Sequence, residues 1–238
     1  MLRANAGAGD SVPGFTGRQR WMMLDGMQFR LHTRYQNSAG ERVRIVLNLK
    51  GIAYEYVAIP SLSGADYRRI NPQGLMPALE VDGRFVAQSM AIAEFIEELF
   101  PEPPLLPVEP FERAQARAFA LHIAADLHPI NNNRVRKFLA GPMALADDKV
   151  SAWYRQWVAV TLTALEAEMA RRPVAHTFCF GATPGIADAC LVPQLANARR
   201  FDCDLSAYPL LNAIDARCHE LAAFRAAAPE NQPDFPRG

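Results

Sequence analysis

The chain has 238 residues, half of them hydrophobic, with 25 basic side chains set against 25 acidic ones. That length supports a substantial core in one large domain or two small ones. The charge balance removes the usual electrostatic reason to expect nucleic-acid or membrane-surface binding, and no apolar run approaches the roughly 20 residues of a membrane-spanning helix.

Residues 1–26 are rich in Gly and Ala without a sustained apolar run. They are expected to form a disordered leader rather than a secretory signal. From Gln28 to Thr33 the pattern is strand-like. Glu41 to Lys50 then reads as a helix with Val43, Val46 and Leu47 on one face and Gly51 as its stop. Ala53 to Ile59 reads as a second strand, giving a β-α-β start. Ala78–Val81 and Arg84–Ala87 flank Asp82-Gly83, a strong hairpin signal. Ser89 to Leu99 reads as a helix with Ser89 as N-cap.

Pro101, Pro103, Pro104 and Pro107 mark a linker, and everything beyond it reads as helix. Val158, Leu162, Leu165 and Met169 show the helical spacing best. Strands in the first half and helices in the second predict an α+β arrangement of two unlike domains, an α/β one at 27–105 and an all-α one at 111–230. Cys179, Cys190, Cys203 and Cys218 lack the close pairs of a metal site, so no metal is expected. Free thiols suit a reducing, cytoplasmic setting.

The order strand, helix, strand, helix, hairpin, helix, proline linker, helical domain resembles the glutathione-transferase fold, whose first domain is thioredoxin-like. Three motifs carry the resemblance further. Asn71-Pro72 is followed by Leu75-Met76-Pro77-Ala78-Leu79, the hairpin and Gln88-Ser89. Arg42-Val43-Arg44-Ile45-Val46-Leu47-Asn48-Leu49-Lys50-Gly51 is similar to the first helix of the zeta class. Asp126–Arg134, with His128-Pro129-Ile130-Asn131-Asn132, resembles bacterial maleylpyruvate isomerases, and Leu191–Phe201 and Asp204–Pro209 follow the zeta pattern.

The resemblance implies glutathione as cofactor. Met76 and the cis proline Pro77 would pair the cysteinyl unit, and Gln88 and Ser89 would hold the γ-glutamyl end. An extended edge that accepts a peptide and a helix N-terminus that accepts a carboxylate make physical sense of this. Read singly, Pro77 merely ends a strand and Ser89 merely caps a helix. The implied reaction is cis–trans isomerisation of a maleyl to a fumaryl group: the thiolate adds to the alkene, the bond rotates, and elimination returns the thiolate. The alternative is a transferase or dehalogenase that consumes glutathione.

The sequence departs from the family before the first helix. Where zeta enzymes carry a serine-rich S-S-C-S stretch, this chain has Asn37, Ser38, Ala39 and Gly40, and Gln36 replaces a frequent arginine. Ser38 is then the expected thiolate donor with Asn37 as an amide donor, or else Ser38 is a plain helix N-cap. Arg134 and Arg200 are expected to hold substrate carboxylates, with His128 and Asn132 lining the pocket. Each of these, and each arginine of the first helix, could equally be solvated surface. Gly185 stands three residues before Asp188, where the family places a hydroxyl cap, at an expected cost of a few tenths of a kcal/mol. The implied partners are a small dicarboxylate or other electrophile and a second copy of the chain in a homodimer.

Overall fold

The computed structural model describes residues 26–60, 65–172 and 176–237. The leader expected over residues 1–26 lies, except for Gly26, outside the described residues. Four strands form one mixed sheet: β1 (Phe29–Thr33), β2 (Glu55–Ala58), β3 (Ala78–Val81) and β4 (Arg84–Ala87), in the order β2-β1-β3-β4. β1 runs parallel to β2 and antiparallel to β3, with Leu31 opposite both Tyr56 and Leu79. The β3–β4 turn places Asp82 and Gly83 at φ 49° and 78°, the left-handed pair that an Asp-Gly hairpin turn requires.

The helices of this half are α1 (Ser38–Leu49), α2 (Ala65–Ile70) and α3 (Ser89–Leu99). The helical half follows. α4 (Pro110–Leu121) passes through a π-helical stretch, His122–Leu127, into the single turn α5 (His128–Ile130). α6 (Asn133–Ala140), α7 (Asp147–Ala170), α8 (Ile186–Arg200), α9 (Pro209–His219) and α10 (Ala222–Ala227) complete it. The α+β division is the one expected. In α7, Val158, Leu162 and Leu165 are buried as their spacing predicts.

α1 begins a turn earlier than its apolar pattern suggests, because Asn37 rather than Ser38 caps it. The Asn37 side chain accepts from the Gly40 N–H at 2.5 Å. Gly40 is required here: a Cβ would collide with the Thr33 hydroxyl and crowd the Asn37 carboxamide. α1 packs against α3, α8 and α10, so Ser38 to Leu47 are all buried, not one face alone. Arg42 and Arg44 are therefore core residues and not solvated surface.

Arg44, fully buried, donates from Nε to the Ala227 carbonyl at 2.8 Å and from its two terminal nitrogens to the carbonyls of Arg34 and Tyr35 at 3.3 Å. The C-terminal segment braces the same loop from outside. Asp234 accepts from the Tyr35 N–H at 3.1 Å and from the Tyr56 hydroxyl at 2.7 Å, and Phe235 packs edge-on against Tyr35.

At the start of α8, Asp188 accepts from the N–H groups of Gly185 and Cys179, both at 2.8 Å. The Leu105 carbonyl takes the Ile186 N–H at 3.0 Å and lies where a Cβ on residue 185 would stand. Gly185 is thus a spatial requirement of the linker's approach, not simply a weaker cap.

Two outcomes follow from this packing. Asp234→Ala frees the Tyr35 N–H and the Tyr56 hydroxyl, and should lower stability by about 1–3 kcal/mol in urea unfolding. An unchanged midpoint would show that the C-terminal segment does not brace the loop. Glu41 is the second case. Burial raises its carboxyl from 4.5 to about 7, against the pull of Arg44. Its folded value lies above its unfolded one, so its contribution is complete below about pH 4.5 and is lost as pH rises through 7. That loss is at most about 3 kcal/mol. Glu41→Gln should flatten the decline in stability between pH 5 and pH 8, and parallel pH profiles for the two proteins would contradict the assignment.

Candidate functional site

Two adjoining cavities lie where the loop before α1 and the start of α3 face α5, α6 and α8. The smaller, about 210 Å³, is lined by Met76, Pro77, Gln88, Ser89, Arg42 and Arg134 among others. The larger, about 450 Å³, is lined by Asn37, Ser38, Arg136, Tyr154, Arg200 and Phe201 among others. His128 and Asn132 border both.

In the smaller cavity the Met76–Pro77 peptide is cis, and Met76 lies outside the sheet ladder, which β3 enters only at Ala78. Gln88, at φ 71° and ψ 115°, is the N-cap of α3, so Ser89 is its first helical residue and not the cap expected. The Gln88 amide donates to Gln73 Oε1 at 2.9 Å. The first N–H groups of α3 have no intrahelical acceptor, which suits an anion. Ser89 Oγ accepts from Arg42 at 3.2 Å, while the Nε and second Nη of the buried Arg42 have no hydrogen-bond partner. An open strand end, a helix N-terminus and a buried, under-satisfied cation together fit an anionic peptide such as glutathione.

In the larger cavity the Asn37 carbonyl oxygen is spent on the helix cap, leaving its N–H₂ as the group that can donate. Ser38 Oγ lies 3.2 Å from His128 Nδ1, and His128 Nε2 lies 3.5 Å from Asn132 Nδ2. The direction of this chain is set at its far end. Asn132 caps α6, its Oδ1 accepting from the Arg134 N–H at 3.1 Å, so its amide N–H₂ faces the imidazole. Nε2 therefore accepts, Nδ1 carries the proton, and Nδ1–H donates to Ser38. The Ser38 hydroxyl hydrogen is then left to donate into the cavity. Burial, with Arg42 and Arg134 nearby, lowers the His128 pKa to about 3, so the imidazole stays neutral at physiological pH.

The residues singled out in the sequence converge here, but not all on one cavity. Ser38, Asn37 and Arg200 face the larger one, Arg134 the smaller one beside His128. Sequence reasoning missed Arg42 as a buried cation, and missed Arg34, Arg136, Tyr154 and Phe201. Arg136 was accessible in principle, since it follows Asn132 at the four-residue spacing that puts two side chains on one helical face. Arg42 was not, because nothing local distinguishes a helix wrapped on several sides. Among the described residues no group of three or more His, Cys, Asp or Glu could hold a metal ion, and no helix is long and apolar enough to cross a membrane.

Residues 38–99 match the family model described as the glutathione S-transferase N-terminal domain. The chain is 42% identical over 210 residues to a maleylpyruvate isomerase of Ralstonia, an alignment covering 86% of this chain and 99% of the relative. It is 44% identical over 215 residues to a probable maleylacetoacetate isomerase of Vibrio cholerae, covering 87% and 99%. Among solved structures, a bacterial zeta-class maleylpyruvate isomerase superposes with a TM-score of 0.85 at 41% identity, covering 87% of this chain and all of that one. A maleylacetoacetate isomerase from Anaeromyxobacter dehalogenans with bound glutathione superposes at 0.79, also at 41% identity, covering 88% and 99%. Identity of this order along almost the whole of each relative means that the chain belongs to the zeta class of the glutathione S-transferase family.

Proposed function

We propose that the protein is a glutathione-dependent cis–trans isomerase of maleyl compounds, converting maleylacetoacetate or maleylpyruvate to the fumaryl isomer. The observation that carries the reading is the directed chain Asn132–His128–Ser38 at the junction of two cavities, one suited to an anionic peptide and one to an acid. Residues 27–105 would form the glutathione-binding unit and 111–230 the helical unit. The protein would work in the cytoplasm as a homodimer, a setting that suits the four free cysteines.

When bound, glutathione supplies the thiolate that adds reversibly to the conjugated double bond and so permits its rotation. The chain's own part begins with Met76 and Pro77 at the open strand end and with Gln88 and Ser89 at the start of α3, which hold the peptide. Ser38 then donates its hydroxyl hydrogen to the sulfur, and the Asn37 amide adds a second donor. Each unit by which such donors lower the thiol pKa corresponds to about 1.4 kcal/mol of preference for the thiolate. His128 does not move a proton. Held neutral by burial and by Arg42 and Arg134, it fixes which way the Ser38 hydroxyl points. Arg200 binds a substrate carboxylate, and its charge persists at any working pH.

The reading is tested by incubating the protein with maleylpyruvate, with and without glutathione, and following substrate and total free thiol. Glutathione-dependent conversion at constant thiol is expected. Loss of thiol in step with substrate would indicate a transferase or dehalogenase instead, and absence of conversion would sink the isomerase.

The relay has its own test in the ultraviolet absorbance of bound thiolate. Ser38→Ala should raise the bound thiol's pKa by about one unit and lower kcat/KM about tenfold near neutrality. Asn132→Asp preserves the α6 cap but accepts from Nε2–H, reversing the imidazole so that Ser38 donates to Nδ1. It should act in the same direction, and the double variant should be no worse than either single one. Fully additive effects would show that the relay does not exist. With His128 neutral, the pH profile of kcat/KM should carry the thiol limb alone and no limb near pH 6.5.

A further inference from the structure

The larger cavity holds more positive charge than thiol activation uses. The Arg136 guanidinium carbon lies 4.2 Å from the centre of the Phe201 ring and 5.8 Å from that of Tyr154. The Arg200 guanidinium carbon lies 4.8 Å from the same Phe201 ring, so one aromatic side chain gathers two cations. Neither makes an ion pair among the described residues. Arg200 donates only to a neutral acceptor, Asn197 Oδ1, at 3.1 Å. Behind them Gln194, 1% exposed and lining the same cavity, has an Nε2 with no partner at hydrogen-bond geometry, although it lies within reach of the Tyr154 hydroxyl.

Two neighbouring guanidinium groups that pair with no carboxylate among the described residues, backed by the buried Gln194 amide, present a surface that an anion fits. Contact with the ring also restricts both side chains and, apart from the Arg200 bond to Asn197, leaves their N–H groups able to donate, which reduces the ordering cost of binding. We propose that Arg136 and Arg200 together receive one carboxylate of the substrate, and that Arg136 is the specificity-determining residue that makes this a site for dicarboxylates. Arg136 supplies, from α6, the cation that Gln36 does not supply at the same cavity. Ser38 reaches the same cavity from the start of α1, on a different element from either arginine.

This inference rests on the proposed isomerase only for the identity of the substrate. Binding of succinate, an inert dicarboxylate, to the glutathione-loaded protein tests it by calorimetry. Arg136→Gln should weaken succinate binding about tenfold or more, with glutathione affinity held within about twofold. With maleylpyruvate the same variant should raise KM by a similar factor and change kcat little. Arg136→Lys, which keeps the charge but loses the stacked planar fork, should recover only part of the loss. Succinate binding unchanged in Arg136→Gln would overturn the inference, as would full recovery with lysine or a parallel loss of glutathione binding. Arg136-dependent succinate binding by a protein that converts no maleyl compound would leave the receptor standing and remove the isomerase.

Discussion

A single buried guanidinium organises this molecule. Arg44 sits inside α1 with no exposure, and its three hydrogen bonds all go to backbone carbonyls: two in the loop after β1 and one in α10. Removing a cation from water is costly, and here the cost is offset by donors matched to carbonyls and not by an acid. Burial lowers the pKa of Arg44, the nearby Glu41 acting against it. The arrangement ties down Arg34 and Tyr35, and the loop they belong to carries the cap of α1 and part of the larger cavity wall. The C-terminal segment repeats the constraint through Asp234, so residues near 234 serve the loop after β1.

The same economy applies to Asn37. Its carbonyl oxygen completes the N-terminus of α1, and its amide is the group left for the cavity. Folding and site geometry are therefore coupled through one side chain. The cap also depends on Gly40, where any Cβ would displace the Thr33 hydroxyl. On the other wall, Asn132 plays the matching part: it caps α6 and orients His128. Ser38, which follows the first of these caps, and Asn132, which is the second, meet across the histidine from different halves of the fold. The π-helical stretch before His128 ends immediately at this junction, as such departures from α geometry often do at functional sites.

Much of this was legible beforehand where the signal is local. The Asp-Gly turn, both hairpin strands and α3 were placed to the residue, because turn chemistry and chain alternation decide them without help from distant parts. The start of α1 was misjudged by a turn, since an apolar pattern begins where packing begins, whereas a helix begins where its first N–H groups find acceptors. Arg42 and Arg44 read as surface because a periodic pattern assumes one buried face, and α1 has several. Gly185 read as a defective cap for a related reason. The carbonyl that excludes a side chain there belongs to Leu105, some 80 residues earlier in the chain.

The placement of charge around His128 explains why a histidine can serve here without acting as a base. Burial disfavours a charge on His128, and Arg42 in the core and Arg134 at the start of α6, which line the same cavity, disfavour it further. A neutral imidazole of fixed tautomer behaves as a rigid spacer with a donor at one end and an acceptor at the other. It can therefore carry the orientation of the Asn132 amide to a hydroxyl on another element. The serine-cysteine cluster missing before α1 need not be replaced by a residue of similar chemistry at the same position. In the proposed mechanism one remaining hydroxyl takes that role because its hydrogen is kept from internal acceptors, and the polarity of the relay has that effect.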